Sequence, residues 1–189
     1  TNLGIVMLLT PLASAAGMIT EKDLQGLRET VNRIMLQTTP QDAVDLYRAI
    51  SIAQAGGMGK QDQFDVNDEK SKTKIIKEKV TLFDVLKLSS SWDLIARELT
   101  SSMPITFNIG FPTFKEIYKK VDMNAAVVQT FLTILSNFPD TLIQRQHGKE
   151  AAVKVTNEAR EILDKGGITG EGLKALKSLD KKLQKKGIN

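Results

Sequence analysis

The sequence predicts an all-α protein, a bundle of about eight or nine helices in one domain that spans residues 1–189. Three observations predict this class. Only 5 prolines and 13 glycines interrupt a chain rich in helix-forming residues. Aromatic residues make up 5% of the chain, which argues against the core of a β-sandwich or barrel. Apolar residues recur at spacings of three and four, as on one face of a helix.

The first predicted helix is an apolar run near the start of the chain. The run Leu3–Leu9, followed by Pro11 and small residues at 13–16, imitates a secretory signal. No basic residue precedes the run, and Pro11 interrupts it too soon for a membrane span. We therefore expect a helix buried on nearly all sides, with Thr1 or Asn2 capping its first turn.

The next two helices begin at recognisable capping residues. The segment Thr20–Asp23 opens one helix, and Thr39–Pro40 opens the other, because threonine caps well and proline suits the first helical position. The second of these helices is expected to end at Gly56–Gly57. From Gly56 to Lys79 few residues are apolar, so we predict a long functional or disordered connection.

Helical spacing returns in the second half of the chain. It resumes at Leu82 and at Ser91, whereas the segment Thr106–Pro112 is predicted to be extended. Further helices are predicted from Pro112 and across Ala125–Leu135.

A turn at Asn137–Asp140 precedes what we predict to be the longest helix. Gly166–Gly167 ends that helix, and Thr169 opens the last one.

The distribution of lysine residues allows two interpretations of the protein surface. The net charge is +4, and lysines crowd into residues 70–79 and 174–186. These clusters are solvated helix faces, or they attract a polyanion such as nucleic acid. Neither cluster contains an aromatic residue on which bases could stack. A helical module that binds nucleic acid through lysine-rich faces is therefore the alternative to an enzyme.

Several chemistries are excluded by residue type. The chain has no cysteine, which excludes disulfides, thiolate zinc sites and a cysteine nucleophile and favours a reducing, cytoplasmic compartment. The motifs GxxxxGK[ST], GxGxxG, HExxH and GxSxG are absent. The one histidine, His147, lies in a polar stretch and is predicted to be a surface or capping residue.

Two stretches of the N-terminal half are candidates for ligand binding. Thr1, Asn2 and Gly4 lie at a helix start, where backbone N–H groups can receive an anion. The second stretch is glycine-rich and comprises Gly57, Gly59, Lys60, Asp62 and Asp65. Glycine lets the backbone approach a ligand, lysine contacts phosphate, and carboxylates hold Mg²⁺ together with phosphate oxygens. A flexible loop with a solvated lysine is the other interpretation.

A third candidate stretch lies in the C-terminal half. Asp140 precedes Thr141 at a predicted helix start, where an aspartate is an ordinary N-cap. The same carboxylate could face a cation or a sugar hydroxyl, while Arg145, one turn further on, neutralises phosphate.

The order of these motifs carries a resemblance. The series is Thr1–Gly4, Gly56–Gly59 with Asp65–Val66, Asp93–Arg97, Pro139–Ile143 with Arg145, and Gly166–Gly167 leading to Asp180. It resembles the triphosphoribosyl-dephospho-CoA synthase family, most closely its archaeal and methylotroph branch, over essentially the whole chain.

The resemblance implies an all-α transferase that joins ATP to 3′-dephospho-CoA and releases adenine. It implies Asp140 and Thr141 as catalytic residues and Mg²⁺ as cofactor, with Asp140 and Asp65 among its ligands; Asp62 is a further metal-ligand candidate from its residue type alone. It also implies that phosphates and nucleotide are bound by Thr1, Asn2, Gly4, Gly57, Gly59 and Arg145; Lys60 is a further phosphate-binding candidate from its residue type alone.

Departures from the family pattern leave some points open. In the citrate lyase-associated enzymes the corresponding loop resembles an Arg-Gly-Glu sequence, whereas this chain has Lys60-Gln61-Asp62. A branch variant that uses another CoA-like acceptor therefore stays open. Family members also carry segments before the position of Thr1 and after that of Asn189, so we expect this chain to be part of a longer one. Self-association into a homo-oligomer through exposed apolar surface is left open as well.

Overall fold

A computed structural model describes residues 2–20, 23–53 and 63–188. This part of the chain contains eleven α-helices, one π-helical segment and no strand, so the all-α prediction is confirmed and the predicted number of helices was slightly low. The chain divides into two compact units, Thr1–Met103 and Pro104–Asn189, here called the N-terminal and C-terminal units. The expectation of a single, incomplete domain stays a prediction.

The described residues of the N-terminal unit form six helices. They are α1 (Leu3–Met18), α2 (Leu24–Leu36), α3 (Pro40–Ile52), α4 (Glu69–Glu78), α5 (Leu82–Ser89) and α6 (Leu94–Thr100). One hydrophobic cluster joins α3 to α4 through Ala43, Val44, Tyr47 and Ile75, against which Phe64, Val66, Leu82 and Val85 pack. α1 packs against α2 and α6.

The C-terminal unit begins with a π-helical segment, Thr106–Gly110, and contains five α-helices. They are α7 (Phe111–Lys120), α8 (Met123–Asn137), α9 (Thr141–His147), α10 (Lys149–Asp164) and α11 (Gly170–Lys185). α8 is central, because α7 and α10 both pack against it. Leu132, Ile162 and Leu179 form one buried cluster, and Leu135, Val155 and Ala159 form a second.

Local capping explains where several helices begin. Asp23 accepts N–H groups at the start of α2, and Thr39 forms a reciprocal capping box with Asp42 at the start of α3, so both helices begin at the segments that the sequence predicts. Thr81 and Asp84 form the same box on α5, and the Thr81 hydroxyl and N–H hold the pKa of Asp84 below its ordinary value. Asn2 stands before α1 without a side-chain capping bond to the described residues.

The prediction that α1 is buried on nearly all sides was wrong. Pro11 and Ala15 are its buried residues, whereas Ile5, Val6 and Leu9 are 56–58% exposed. Because α1 is apolar on all sides, its sequence does not determine which face packs against the rest of the unit. In the structure, α2 and α6 cover one side of α1. No helix among the described residues is long and apolar enough to span a membrane.

Two further segments differ from the sequence prediction. α4 lies inside the predicted connection, where it is capped by Asp68 and buries only Ser71 and Ile75, too few residues to give an apolar period. The segment Thr106–Gly110 is π-helical rather than extended, and it packs on α8, where a Cβ on Gly110 would lie 3.4 Å from Ile134, a contact that the local pattern does not contain.

The predicted longest helix is divided by a glycine. Gly148 has φ +89°, a conformation outside the helical region that glycine adopts without steric cost, and it separates α9 from α10. Gly166–Gly167 ends α10, as predicted. Thr169 precedes α11, but its hydroxyl donates to the Gly166 carbonyl rather than capping the helix.

Candidate active site

Asp140 caps the N-terminus of α9, as the sequence predicts. Its Oδ1 atom accepts the backbone N–H groups of Leu142 at 2.7 Å and Ile143 at 3.0 Å. No other described residue bonds to the second carboxylate oxygen, Oδ2, and the residue is half-buried. The two amides fix the direction of the carboxylate while Oδ2 stays available to a ligand.

α9 presents the other two candidates of this stretch. Thr141 and Arg145 are four residues apart on α9, which places them on one helix face. The helix is held in the unit through Ile143, which packs against the cluster of Leu135, Val155 and Ala159. The structure therefore brings Asp140, Thr141 and Arg145 together on one anchored helix. His147 is exposed at its end, as predicted for a surface residue.

Asp65 lies on a short, well-held segment before α4. Its Oδ1 accepts the Asn67 N–H at 2.7 Å, and its carbonyl accepts the Asp68 N–H at 3.1 Å. The preceding residue, Phe64, packs on the core cluster and accepts a hydrogen bond from the Tyr47 hydroxyl. Burial, with the Asp65 charge as a smaller cause, raises the pKa of Tyr47 to about 12, so this phenol is a neutral donor.

Gly4 lies near a neighbouring helix, which the sequence did not reveal. A Cβ built on Gly4 would lie 3.4 Å from the Cδ1 atom of Ile95, so the glycine lies beside α6. Asn2, two residues earlier, is exposed. Both remain candidates for nucleotide binding.

The remaining candidates lie outside the described residues. They are Thr1, Gly57, Gly59, Lys60 and Asp62. Among the residues that the structure describes, no group of three or more His, Asp or Glu side chains could hold a metal ion. Asn2, Gly4 and Asp65 belong to the N-terminal unit, and Asp140, Thr141 and Arg145 to the C-terminal unit.

The structure adds two features that sequence reasoning missed. The sequence identifies Tyr47 only as one apolar position of a helix. Its hydrogen bond to the Phe64 carbonyl depends on the tertiary fold. A groove of about 940 Å³ between α10 and α11 is lined by Lys149, Lys154, Lys165 and Lys182 together with Glu150 and Glu161. It contains none of the predicted site residues.

The CitG family model, described as ATP:dephospho-CoA triphosphoribosyl transferase, matches residues 1–189. A crystal structure of a candidate triphosphoribosyl-dephospho-CoA synthase from Archaeoglobus fulgidus is similar with a TM-score of 0.77 and 26% sequence identity. The similarity covers 98% of this chain and 73% of that one. No curated protein matches the chain.

The family match and the structural similarity agree with the motif series and with the helical fold. No finding supports the nucleic-acid-binding alternative. The chain belongs to the ATP:dephospho-CoA triphosphoribosyl transferase family and is a transferase.

Proposed function

We propose that this chain transfers the triphosphoribosyl group of ATP to 3′-dephospho-CoA, or to a closely related CoA-like acceptor, and releases adenine. The observation that supports this most directly is the family match over residues 1–189. The arrangement of α9 agrees with it, because a carboxylate, a hydroxyl and a guanidinium lie on one helix with the carboxylate fixed by two amides.

The reaction is a glycosyl transfer at the anomeric carbon of the ATP ribose. A ribose hydroxyl of the acceptor forms a bond to C1′ and loses its proton, while the C1′–N9 bond breaks and adenine leaves with the electron pair and takes up a proton. Such a centre passes through an oxocarbenium-like transition state, which a nearby carboxylate stabilises. We assign Asp140 Oδ2 to accept the hydroxyl proton and the Thr141 hydroxyl to orient the attacking sugar.

The triphosphate is retained through the reaction, so it must be gripped without being cleaved. Arg145 suits this task, because a guanidinium binds phosphate oxygens in a bidentate manner, and Lys60 is the second cation that we propose. Mg²⁺ would supply charge neutralisation at the phosphates, and Asp65 is the described carboxylate that we propose as its protein ligand. A single carboxylate fits this ion, because Mg²⁺ is held by one or two carboxylates and completes its shell with phosphate oxygens and water.

The test is release of free adenine from ATP in the presence of Mg²⁺ and dephospho-CoA. We expect adenine and triphosphoribosyl-dephospho-CoA in equal amounts and no ADP, because the triphosphate is not cleaved. A folded protein that releases no adenine with dephospho-CoA would exclude this acceptor, and assays with other CoA-like thiol carriers would then identify the branch variant. A cytoplasmic location, where ATP is abundant, is part of the same proposal.

A further inference from the structure

The segment that carries Asp65 is held from two sides. Tyr47, on α3, donates its hydroxyl hydrogen to the Phe64 carbonyl. Lys74, on α4, places its Nζ atom 4.9 Å from the centroid of the Phe64 ring, a cation–π distance. The Phe64 side chain and its neighbour Val66 pack on the buried cluster around Tyr47. Two helices therefore determine the path of the backbone next to Asp65.

This path includes an unfavourable backbone conformation. Phe64 has φ +49°, in the left-handed region that residues with a bulky side chain avoid. A residue stays in such a conformation only when surrounding contacts hold it there. Tyr47 donates its hydrogen bond to the backbone carbonyl of Phe64 itself. The bond therefore restrains the residue that has the unfavourable conformation.

The conformation of Phe64 also sets the turn that follows. Asp65 begins a tight turn in which its Oδ1 accepts the Asn67 N–H and its carbonyl accepts the Asp68 N–H. If Phe64 relaxed into the ordinary region, the Cα–Cβ bond of Asp65 would change direction, and with it the direction of the carboxylate. Tyr47 is suited to prevent this, because its ring is buried in the cluster while its hydroxyl donates to the Phe64 carbonyl.

We propose that Tyr47 is a positioning residue that holds the Asp65 carboxylate in the direction needed to bind the metal–nucleotide substrate. This inference rests on the proposed function, in which Asp65 is one of the Mg²⁺ ligands. Tyr47 does not act on the substrate itself but through the Phe64 backbone.

The experiment measures binding of Mn²⁺, a paramagnetic substitute for Mg²⁺, to the full chain in the presence of ATP, by electron paramagnetic resonance of the free ion. Removal of the hydroxyl in Tyr47→Phe leaves the ring that fills the core. We expect the dissociation constant for Mn²⁺ to rise about tenfold, the effect of losing one well-placed hydrogen bond. Hydrogen exchange of the Asn67 amide should quicken in the same variant, because its bond to Asp65 is loosened.

Three comparison variants separate positioning from mere stability. Tyr118→Phe changes the other, exposed tyrosine and should leave metal binding unchanged. Val44→Ala weakens the same buried cluster but keeps the Tyr47 hydroxyl, and it too should leave metal affinity unchanged in the folded protein. Asp65→Asn should weaken binding, and adding Tyr47→Phe to it should have no further effect, because both changes act on one carboxylate.

Two results would overturn the inference: Tyr47→Phe with wild-type metal affinity, or effects of Tyr47→Phe and Asp65→Asn that simply add. An Asp65→Asn protein that binds Mn²⁺ normally would overturn it as well, since there would be no ligand to position. Failure of the proposed function gives a different pattern, in which metal–ATP binding and its dependence on Tyr47 are intact but no adenine is released.

Discussion

At the scale of single residues, Asp140 has two tasks that one substitution separates. Asparagine caps helices about as well as aspartate, so Asp140→Asn should change the free energy of unfolding by less than about 1 kcal/mol. The variant cannot accept a proton, and we expect adenine release to fall at least about a hundredfold, as when a general base is lost. Thermal unfolding and the adenine assay measure the two effects.

The matched control for this change is Asp122→Asn. Asp122 is exposed and caps α8 by accepting the Ala125 N–H at 2.8 Å, so it shares the capping role of Asp140 without a proposed chemical one. We expect normal adenine release from this variant. Normal turnover by Asp140→Asn would show instead that Asp140 serves only as a cap.

Gly4 gives a second test at this scale, because the structure leaves room for a methyl group. The added Cβ would meet Ile95 at 3.4 Å, an ordinary van der Waals contact, and alanine favours a helix by up to about 1 kcal/mol over glycine. Gly4→Ala should therefore keep or raise the melting temperature. If this helix start receives nucleotide, we expect adenine release to fall about tenfold, a loss of about 1.4 kcal/mol.

The control lies on the same helix. Gly17 of α1 has nothing within 4 Å of an added Cβ, and Gly17→Ala should retain both stability and activity. Full activity of Gly4→Ala would assign Gly4 to packing alone and remove it from the binding site.

At the scale of elements, the junction of α10 and α11 depends on a close backbone approach. A Cβ on Gly172 would lie 2.4 Å from the nitrogen and 2.5 Å from the oxygen of Gly167, both of them backbone atoms that cannot rotate away. The Gly172 N–H also donates to the Lys165 carbonyl at 2.9 Å. Gly172→Ala should destabilise the protein by about 1–3 kcal/mol through overpacking.

The measurement for Gly172→Ala is denaturant unfolding beside Gly17→Ala, which makes the same chemical change where space is open. Equal stabilities of the two variants would contradict the close approach. Sequence reasoning located this junction from its two glycines and from Thr169, but the contact between Gly172 and Gly167 depends on how the helices fold back.

Other elements show which helices can be predicted from neighbouring residues and which cannot. The start of α3 at Pro40 follows from neighbouring residues, because Thr39 and Asp42 satisfy each other's backbone groups. α4 could not be recognised in the same way, since its stability depends on burying Ile75 in a cluster supplied by α3 and by residues 64 and 66. The π-helical segment before α7 likewise depends on a neighbour, α8.

At the scale of the whole molecule, Tyr47 links stability to alkaline pH. Its pKa is about 12 in the folded protein against about 10 in an unfolded chain. The stabilisation is therefore fully present below pH 10 and is lost as the pH rises towards 12, because the unfolded chain ionises first. For the one proton involved, the free energy of unfolding changes by at most about 1.4 kcal/mol per pH unit.

The corresponding measurement compares unfolding of wild type and Tyr47→Phe across pH. We expect a constant stability difference from pH 7 to 9 that shrinks above pH 10. Tyr118→Phe, which changes an exposed tyrosine, should keep the alkaline decline of the wild type. A difference that stays constant up to pH 12 would mean that the Tyr47 phenol ionises equally in both states.

The sequence by itself determined the helical class, the capped helix starts and the order of motifs that places the chain in its family. These features are local, since a cap or an apolar period is encoded by residues within one or two turns. Tertiary structure alone decided that α1 leaves Ile5, Val6 and Leu9 exposed, that α4 forms, and that Tyr47 holds the backbone beside Asp65. Burial and long-range hydrogen bonds depend on which other helices pack against a given helix. A short stretch of sequence does not contain that information.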